Sequence, residues 1–87
     1  MIQVIDDDTA LQNIAANVTR MMADRGISQT ALAEMVGGKQ PTISRICHGT
    51  NMPSASVLRR IAEALETSME ILIDSPPKPL EKTRKVG

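Results

Sequence analysis

The sequence predicts an all-α fold made of five short helices. Apolar residues recur along it with the three- and four-residue spacing that gives a helix one buried face. The 87 residues include no Phe, Tyr or Trp, so aliphatic side chains, Met and Ala must build the core, which favours helix packing over a sheet. Residues that commonly begin and end helices separate the apolar segments. A chain of this length suits one small domain, for which we predict the bounds 9–74.

The first helix is predicted to run from about Thr9 to Asp24. The aspartates at residues 6–8 precede it, where acidic side chains stabilise the positive end of a helix dipole. Gly26 is expected to end it. The apolar residues of this segment share one face: Leu11, Ile14, Ala15, Val18, Met21 and Met22. Residues 1–8 would form an N-terminal arm, which either frays or docks as an extended segment on a neighbouring molecule.

Two shorter helices joined by a glycine turn organise the chain. Ser28 is the predicted cap of the second helix, and Gly37 is its predicted end, because glycine adopts the left-handed conformation at low cost. The third helix begins at Gln40, with Pro41 in its first turn, where no intrahelical N–H bond is lost. The inward faces of the two helices comprise Leu32, Ala33, Val36, Ile43 and Ile46. Together they form a helix-turn-helix.

The outward face of the third helix is polar and almost free of carboxylates. Gln40, Ser44, Arg45 and His48 form one stripe along the helix. Hydrogen-bonding side chains in such a stripe suit base edges and phosphates in a DNA major groove. The alternative is a polar face that contacts only solvent.

The rest of the domain is predicted to form two further helices after a loop at residues 49–54. Gly49 is the predicted C-cap of the third helix. The fourth helix is expected to start at Pro53 and Ser54 and to bury Val57, Leu58, Ile61, Ala62 and Leu65. Thr67 or Ser68 is the predicted cap of the fifth helix, which extends from Met69 to about Ile73.

The fifth helix carries more apolar residues than a small bundle needs on one side. Ile71, Leu72 and Ile73 are therefore predicted dimer contacts, since a surplus of exposed apolar surface indicates an interaction site. Alternatively, these residues only close the core. Residues 75–87 are rich in Pro and basic side chains, which predicts an extended linker or tail.

The net charge of the chain is zero, but its charges are segregated. Residues 9–60 carry six basic and two acidic side chains, whereas residues 61–74 carry only acidic ones. Binding to a polyanion is governed by the local electrostatic field of the basic region and not by the net charge of the whole chain. A single Cys excludes an internal disulfide and a Cys-based zinc site. With no long apolar run and no signal-peptide pattern, we expect a cytoplasmic protein that binds no membrane.

From about Asn17 to Asp74 the chain resembles the Cro/lambda-repressor type of helix-turn-helix domain, an XRE-like family. The resemblance covers roughly two-thirds of the chain and rests on Gly26-Ile27-Ser28-Gln29, Leu32-Ala33-Glu34, Gly37, Thr42-Ile43-Ser44-Arg45-Ile46, Gly49, Pro53, Leu58 and Ile61-Ala62-Glu63-Ala64-Leu65. It implies a five-helix lambda-repressor-like DNA-binding domain. Gly38 and Lys39 depart from the family pattern, which has an aliphatic residue and a Ser or Thr cap there.

The resemblance also bears on the packing of the first helix against the third. Many family members carry an Arg and a Glu, which form an ion pair, at the positions of Met22 and Cys47. Both positions are apolar here, so no charge is left unpaired. We predict a direct contact between these two side chains.

The resemblance and the residue types together assign candidate DNA contacts. Gln40 is expected to pair with adenine and Arg45 with guanine, Ser44 can bond a base or a phosphate, and the ring of Pro41 can meet a thymine methyl group. Gln29 lies at a helix start, where side chain and free amides can hold a phosphate. The predicted phosphate contacts are Gln29, Lys39, Thr42, His48, Thr50, Asn51 and Ser54.

These assignments predict a sequence-specific double-stranded DNA-binding transcriptional regulator. A repressor of the phage or prophage type would bind a palindromic operator as a homodimer, with no cofactor, metal or small-molecule substrate. An enzyme is not expected, since the sequence offers no metal-ligand cluster, glycine-rich phosphate loop or nucleophile–base pair. Gly38, Lys39 and the neutral net charge instead suit the alternative, a protein-interaction module or antitoxin-like regulator.

Overall fold

A computed structural model describes residues 6–77 and contains five α-helices and no strand in that range. The helices are α1 (Asp7–Arg25), α2 (Gln29–Val36), α3 (Gln40–Cys47), α4 (Ala55–Ala64) and α5 (Met69–Ile73). The predicted all-α class is confirmed. Residues 1–5 of the predicted arm and residues 78–87 of the predicted tail lie outside the described residues.

Four of the five helices begin at a residue whose side chain caps the first turn. The carboxylate of Asp6 accepts a hydrogen bond of 2.8 Å from the amide of Thr9, so α1 begins two residues before the predicted start. Ser28, Ser54 and Ser68 cap α2, α4 and α5 in the same way. Ser68, and not Thr67, is thus the cap of α5. Side-chain oxygens at these positions satisfy amides that the helix itself leaves unpaired.

Left-handed glycines follow the ends of α1, α2 and α3. Gly37 has φ +72° and closes α2, as predicted. The C-cap of α3 is His48 and not Gly49, which is the next residue and has φ +72°. A Cβ atom on Gly49 would also lie 3.2 Å from the side-chain nitrogen of Gln12 on α1. The backbone conformation therefore favours glycine there, and a larger residue would also have to displace the side chain of Gln12.

The core receives side chains from all five helices. α1 packs against α3 and α5, while α2 packs against α3 and α4. The predicted contact between Met22 and Cys47 is confirmed, with 3.7 Å between the two sulfur atoms. The buried apolar residues are Ile14, Ala15, Val18, Met21, Met22, Leu32, Ala33, Val36, Ile43, Ile46, Leu58, Ile61, Ala62, Leu65 and Leu72.

Two buried asparagines on α1 hold the end of α5, a feature that the apolar pattern did not predict. The Nδ2 atom of Asn13 donates to the carbonyl oxygen of Ile73 at 2.9 Å. The Nδ2 atom of Asn17 lies within hydrogen-bonding distance of three carbonyl oxygens, those of Ile71 (3.1 Å), Leu72 (2.9 Å) and Asp74 (2.8 Å). The last carbonyls of a helix have no intrahelical partner, and these amides supply one.

Within residues 6–77, none of the five helices combines the length and the apolar character needed to cross a membrane.

Candidate nucleic-acid interface

The first turns of α2 and α3 are joined through two glutamine side chains. The Nε2 atom of Gln40 donates a hydrogen bond of 2.7 Å to the Oε1 atom of Gln29. These two residues are eleven positions apart in the sequence, and the glycine turn between the helices brings them together. The structure thus joins Gln40, a predicted base contact, to Gln29, a predicted phosphate contact. The sequence identified each residue but did not predict that they bond to each other.

This bond leaves both amides able to bind a ligand. Gln40 keeps its carbonyl oxygen and one N–H, and Gln29 keeps its whole NH2 group. An acceptor and a donor side by side are what the major-groove edge of adenine pairs with. A donor at the start of α2, beside backbone amides that have no intrahelical partner, suits an anion such as a phosphate. The arrangement can therefore bond to a base and to the neighbouring backbone at once.

The α3 helix separates an apolar face from a polar one. Ile43 and Ile46 are 1% and 0% exposed and pack into the core. On the other face Gln40, Pro41 and Arg45 are exposed, and Ser44 is half-buried. All four predicted base contacts thus lie at least partly at the surface of one short helix. Within residues 6–77, Arg45 forms no ion pair, so its guanidinium is available to an external acceptor.

The start of α3 differs from the other helix starts. Lys39 occupies the N-cap position with extended backbone, but its side chain makes no capping bond, as its chemistry predicts. Its exposed ammonium group lies directly before Gln40. Pro41 contributes no N–H, and Thr42 donates its backbone amide to the Lys39 carbonyl oxygen at 3.1 Å. The N-cap position of α3 thus carries the positive charge of Lys39 and no capping side chain, which favours an anionic ligand at the start of this helix.

Three residues predicted to contact phosphate form hydrogen bonds with backbone groups at helix ends: His48, Thr50 and Ser54. The Nδ1 atom of His48 lies 2.7 Å from the carbonyl oxygen of Ser44, to which the ring donates in the tautomer that carries its hydrogen on Nδ1. The hydroxyl of Thr50 donates to the carbonyl oxygen of Arg45 at 3.2 Å. The hydroxyl of Ser54 accepts from the amide of Val57 at 3.3 Å and lies 3.4 Å from the hydroxyl of Ser56, a pair in which either group can donate. Their capacity for further contacts is smaller than the sequence suggested.

The three predicted dimer contacts differ in exposure. Ile71 is 50% exposed, whereas Leu72 is 0% exposed and belongs to the core. Ile73 is half-buried and packs against the core. The expectation that all three form one exposed surface is wrong for Leu72, because the asparagine bonds from α1 hold α5 with this side chain turned inward. For Leu72, the alternative that it closes the core is correct.

The free thiol of Cys47, at the end of α3, is half-buried. Burial raises the pKa of the Cys47 thiol, and a hydrogen bond involving the Thr19 side chain acts in the opposite direction. A thiol with a raised pKa remains protonated and is a poor nucleophile. Within residues 6–77, no three His, Cys, Asp or Glu side chains come close enough to hold a metal ion.

Comparison with protein families identifies the chain. Residues 19–72 match the model of the family HTH_3, described as helix-turn-helix. The chain belongs to the HTH_3 helix-turn-helix family. The matched segment extends from within α1 to within α5, so it contains both glutamines and the whole of α3. No curated protein sequence is significantly similar to the chain.

Solved structures with the same fold include regulators and an enzyme. The hypothetical transcription factor NHTF from Neisseria is 21% identical, with a TM-score of 0.75 over 87% of this chain and 85% of that one. An HTH_3 family transcriptional regulator from Vibrio cholerae is 27% identical, with a TM-score of 0.71 over 77% of this chain and 38% of that one. Hydroxypropylphosphonic acid epoxidase from S. wedmorenis is 25% identical, with a TM-score of 0.71 over 77% of this chain and 36% of that one. The HTH_3 fold is thus also found as a minor part of longer chains.

Proposed function

We propose that this HTH_3 protein is a sequence-specific regulator of transcription that binds double-stranded DNA with α3 in the major groove. The observation that carries the proposal is the hydrogen bond between Gln29 and Gln40. It connects the exposed start of α3 to the start of α2 and leaves free the donors and acceptors that a base and a phosphate require.

In this proposal the two glutamines have different partners. Gln40 bonds to the N6 and N7 atoms of an adenine, and Gln29 holds Gln40 in position while it donates to the adjacent phosphate. Arg45, one turn further along α3, bonds to guanine O6 and N7, and Ser44 supports it with a base or phosphate contact. Lys39 and Thr42 at the start of α3, with Thr50, Asn51 and Ser54 beyond its end, contact the sugar–phosphate backbone.

We further propose that the protein acts as a repressor of the phage or prophage type and binds as a two-fold dimer. Two α3 helices would enter successive major grooves of a palindromic operator, about 34 Å apart. The half-exposed Ile71 supports a dimer surface that includes α5. Repression would follow from occupation of the promoter. We assign no catalytic activity, since the similarity to the epoxidase covers only 36% of that enzyme.

Selection from a random pool of labelled duplex DNA tests this function. The label belongs on the DNA because the protein contains no Trp or Tyr. We expect enrichment of an inverted repeat, and a fall in log K with increasing log salt that reflects phosphate contacts. Arg45→Ala should lose specificity at one base pair of each half-site, while Arg25→Ala, outside the helix-turn-helix, should select the same repeat. No enrichment at low or moderate salt would overturn the proposal and favour a protein partner.

A further inference from the structure

We propose that His48 makes operator binding depend on pH, because protonation of its imidazole adds a positive charge to the surface at the end of α3. The inference rests on the proposed function, in which this end of the helix lies beside the sugar–phosphate backbone, and it adds a regulatory signal to the same site. His48 is the one histidine of the chain. Histidine is the side chain that ordinarily changes its charge between pH 5 and 8, so a single residue carries the proposed response.

The hydrogen bonds of His48 leave one ring nitrogen for an external ligand. Nδ1 lies 2.7 Å from the carbonyl oxygen of Ser44, one turn earlier in α3. In the imidazolium both ring nitrogens carry a hydrogen, so Nδ1 donates to this carbonyl and Nε2 is a second donor. Within residues 6–77, Nε2 forms no hydrogen bond, and the ring is exposed. The protonated ring therefore offers an N–H and a positive charge to a phosphate while it stays bound to α3.

The end of α3 stabilises a positive charge on this ring. His48 is the C-cap residue of the helix, and the last carbonyl oxygens of a helix form the negative end of its dipole. Donation from Nδ1 to the Ser44 carbonyl oxygen places the cation directly against one of these groups. The helix thus holds the charge at the surface without a neighbouring carboxylate.

The charged and titratable groups around His48 leave the imidazolium without an ion pair. On α3, Arg45 is a cation that disfavours a second charge until a phosphate is bound, and burial raises the pKa of the Cys47 thiol, which stays uncharged. α1 and α2 pack against α3. Asp8 of α1 and Glu34, the one charged residue of α2, form no ion pair with His48 within residues 6–77. The α1 side chains that approach the end of α3 are uncharged: Gln12, Ala15, Thr19 and Met22.

Operator affinity of the wild type at about pH 5.5 and about pH 8 tests the proposal, because the ring changes its charge between these values. We expect tighter binding at the lower pH, by about eightfold for each bound subunit at about 0.1 M salt, the factor that release of one further counterion contributes there. The slope of log K against log salt should also be steeper at the lower pH, by about 0.9 for each subunit. Equal slopes at the two pH values would overturn the proposal.

Two variants at this position assign the response to the imidazole. His48→Gln keeps a polar side chain that does not titrate, so its salt slope should be the same at both pH values. His48→Lys carries its charge throughout, so it should show the steeper slope at both. Arg25→Ala, outside the helix-turn-helix, is the control variant and should retain the pH response of the wild type. Circular dichroism at both pH values verifies that each variant is folded.

The outcomes separate this proposal from the proposed function. If an operator is selected but His48→Gln responds to pH as the wild type does, another group titrates, and the inference is refuted while DNA binding stands. The wild-type slopes require neither variant, so they decide the outcome even where a substitution unfolds the protein. If no operator is selected at either pH, the proposed function itself fails.

Discussion

Side-chain amides join two pairs of helices in this protein. Asn13 and Asn17 join α1 to the end of α5, and Gln29 and Gln40 join the starts of α2 and α3. Asn17 is 1% exposed, whereas Gln40 is exposed. The chemical group is the same in both places, but water reaches only the second one.

This difference in burial decides what each amide contributes. A buried carbonyl that loses its donor keeps the full cost of its desolvation, so the asparagines govern stability. At the surface, water replaces a lost partner at little cost, so the glutamines contribute little to folding and remain free to exchange water for a ligand. Removing each amide in turn tests this contrast.

Asn17→Leu should cause the largest change. The leucine is close in size but donates no hydrogen bond to the carbonyls at the end of α5, so we expect the free energy of unfolding to fall by about 2–3 kcal/mol. Urea denaturation followed by circular dichroism measures it. Asn51→Ala, in the exposed loop after α3, is the matched control and should stay within about 0.5 kcal/mol of the wild type. Equal stability of the two variants would contradict the role of buried amides.

Gln40→Ala should show the opposite behaviour. We expect operator affinity to fall by about 1–3 kcal/mol and stability to change by less than about 0.5 kcal/mol. Titration of labelled operator and urea denaturation give the two quantities. Gln29→Ala should also weaken binding, and the double variant should lose less than the sum of the two, because Gln29 acts partly through Gln40. Strict additivity would mean that the hydrogen bond does not matter for binding.

Lys39→Ser should separate stability from affinity at the start of α3. Serine at an N-cap can accept a bond from the first turn, so we expect a gain of about 1 kcal/mol in the free energy of unfolding. The same variant loses a positive charge, so the slope of log K against log salt should decrease by about 1 for each subunit. Lys39→Ala is the comparison variant: we expect the same decrease in the slope of log K against log salt, but no gain in the free energy of unfolding. A salt slope unchanged in both variants would exclude a phosphate contact at this position.

Asp6 should give the smallest effect, and one that depends on pH. Hydrogen bonds from the backbone and side chain of Thr9 lower the pKa of Asp6 below its usual 3.8. A lowered folded-state pKa means that the carboxylate stabilises the protein above the unfolded-state pKa and that this contribution disappears as pH falls through the folded-state value. The wild type should therefore be more stable than Asp6→Ala at neutral pH and equally stable in strong acid.

Asp6→Asn is the control for this titration. Asparagine caps without a titrating group, so its advantage over Asp6→Ala should persist in acid. Thermal unfolding across the acidic range measures both differences. A difference between wild type and Asp6→Ala that stays constant at every pH would show that the carboxylate charge does not contribute.

Much of the fold and part of the candidate site follow from local sequence. Ser28 and Ser68 cap helices because a hydroxyl reaches an amide three residues away, and Gly37 ends one because few other residues adopt its backbone conformation. The polar face of α3 follows from helical spacing alone. The roles of these residues in DNA binding stay predictions until binding is measured.

Contacts between residues distant in sequence were decided by tertiary structure alone. Asn17 meets Leu72 across 55 positions, and Gln29 meets Gln40 across a turn whose angle sets the distance between their amides. Asparagine has a polar side chain, so the sequence gives no reason to bury it until the unpaired carbonyls of α5 arrive beside α1. Local hydrogen bonding and backbone sterics determined the helices, while burial, which depends on the whole packed chain, decided which amides stabilise the fold and which stay available to a ligand.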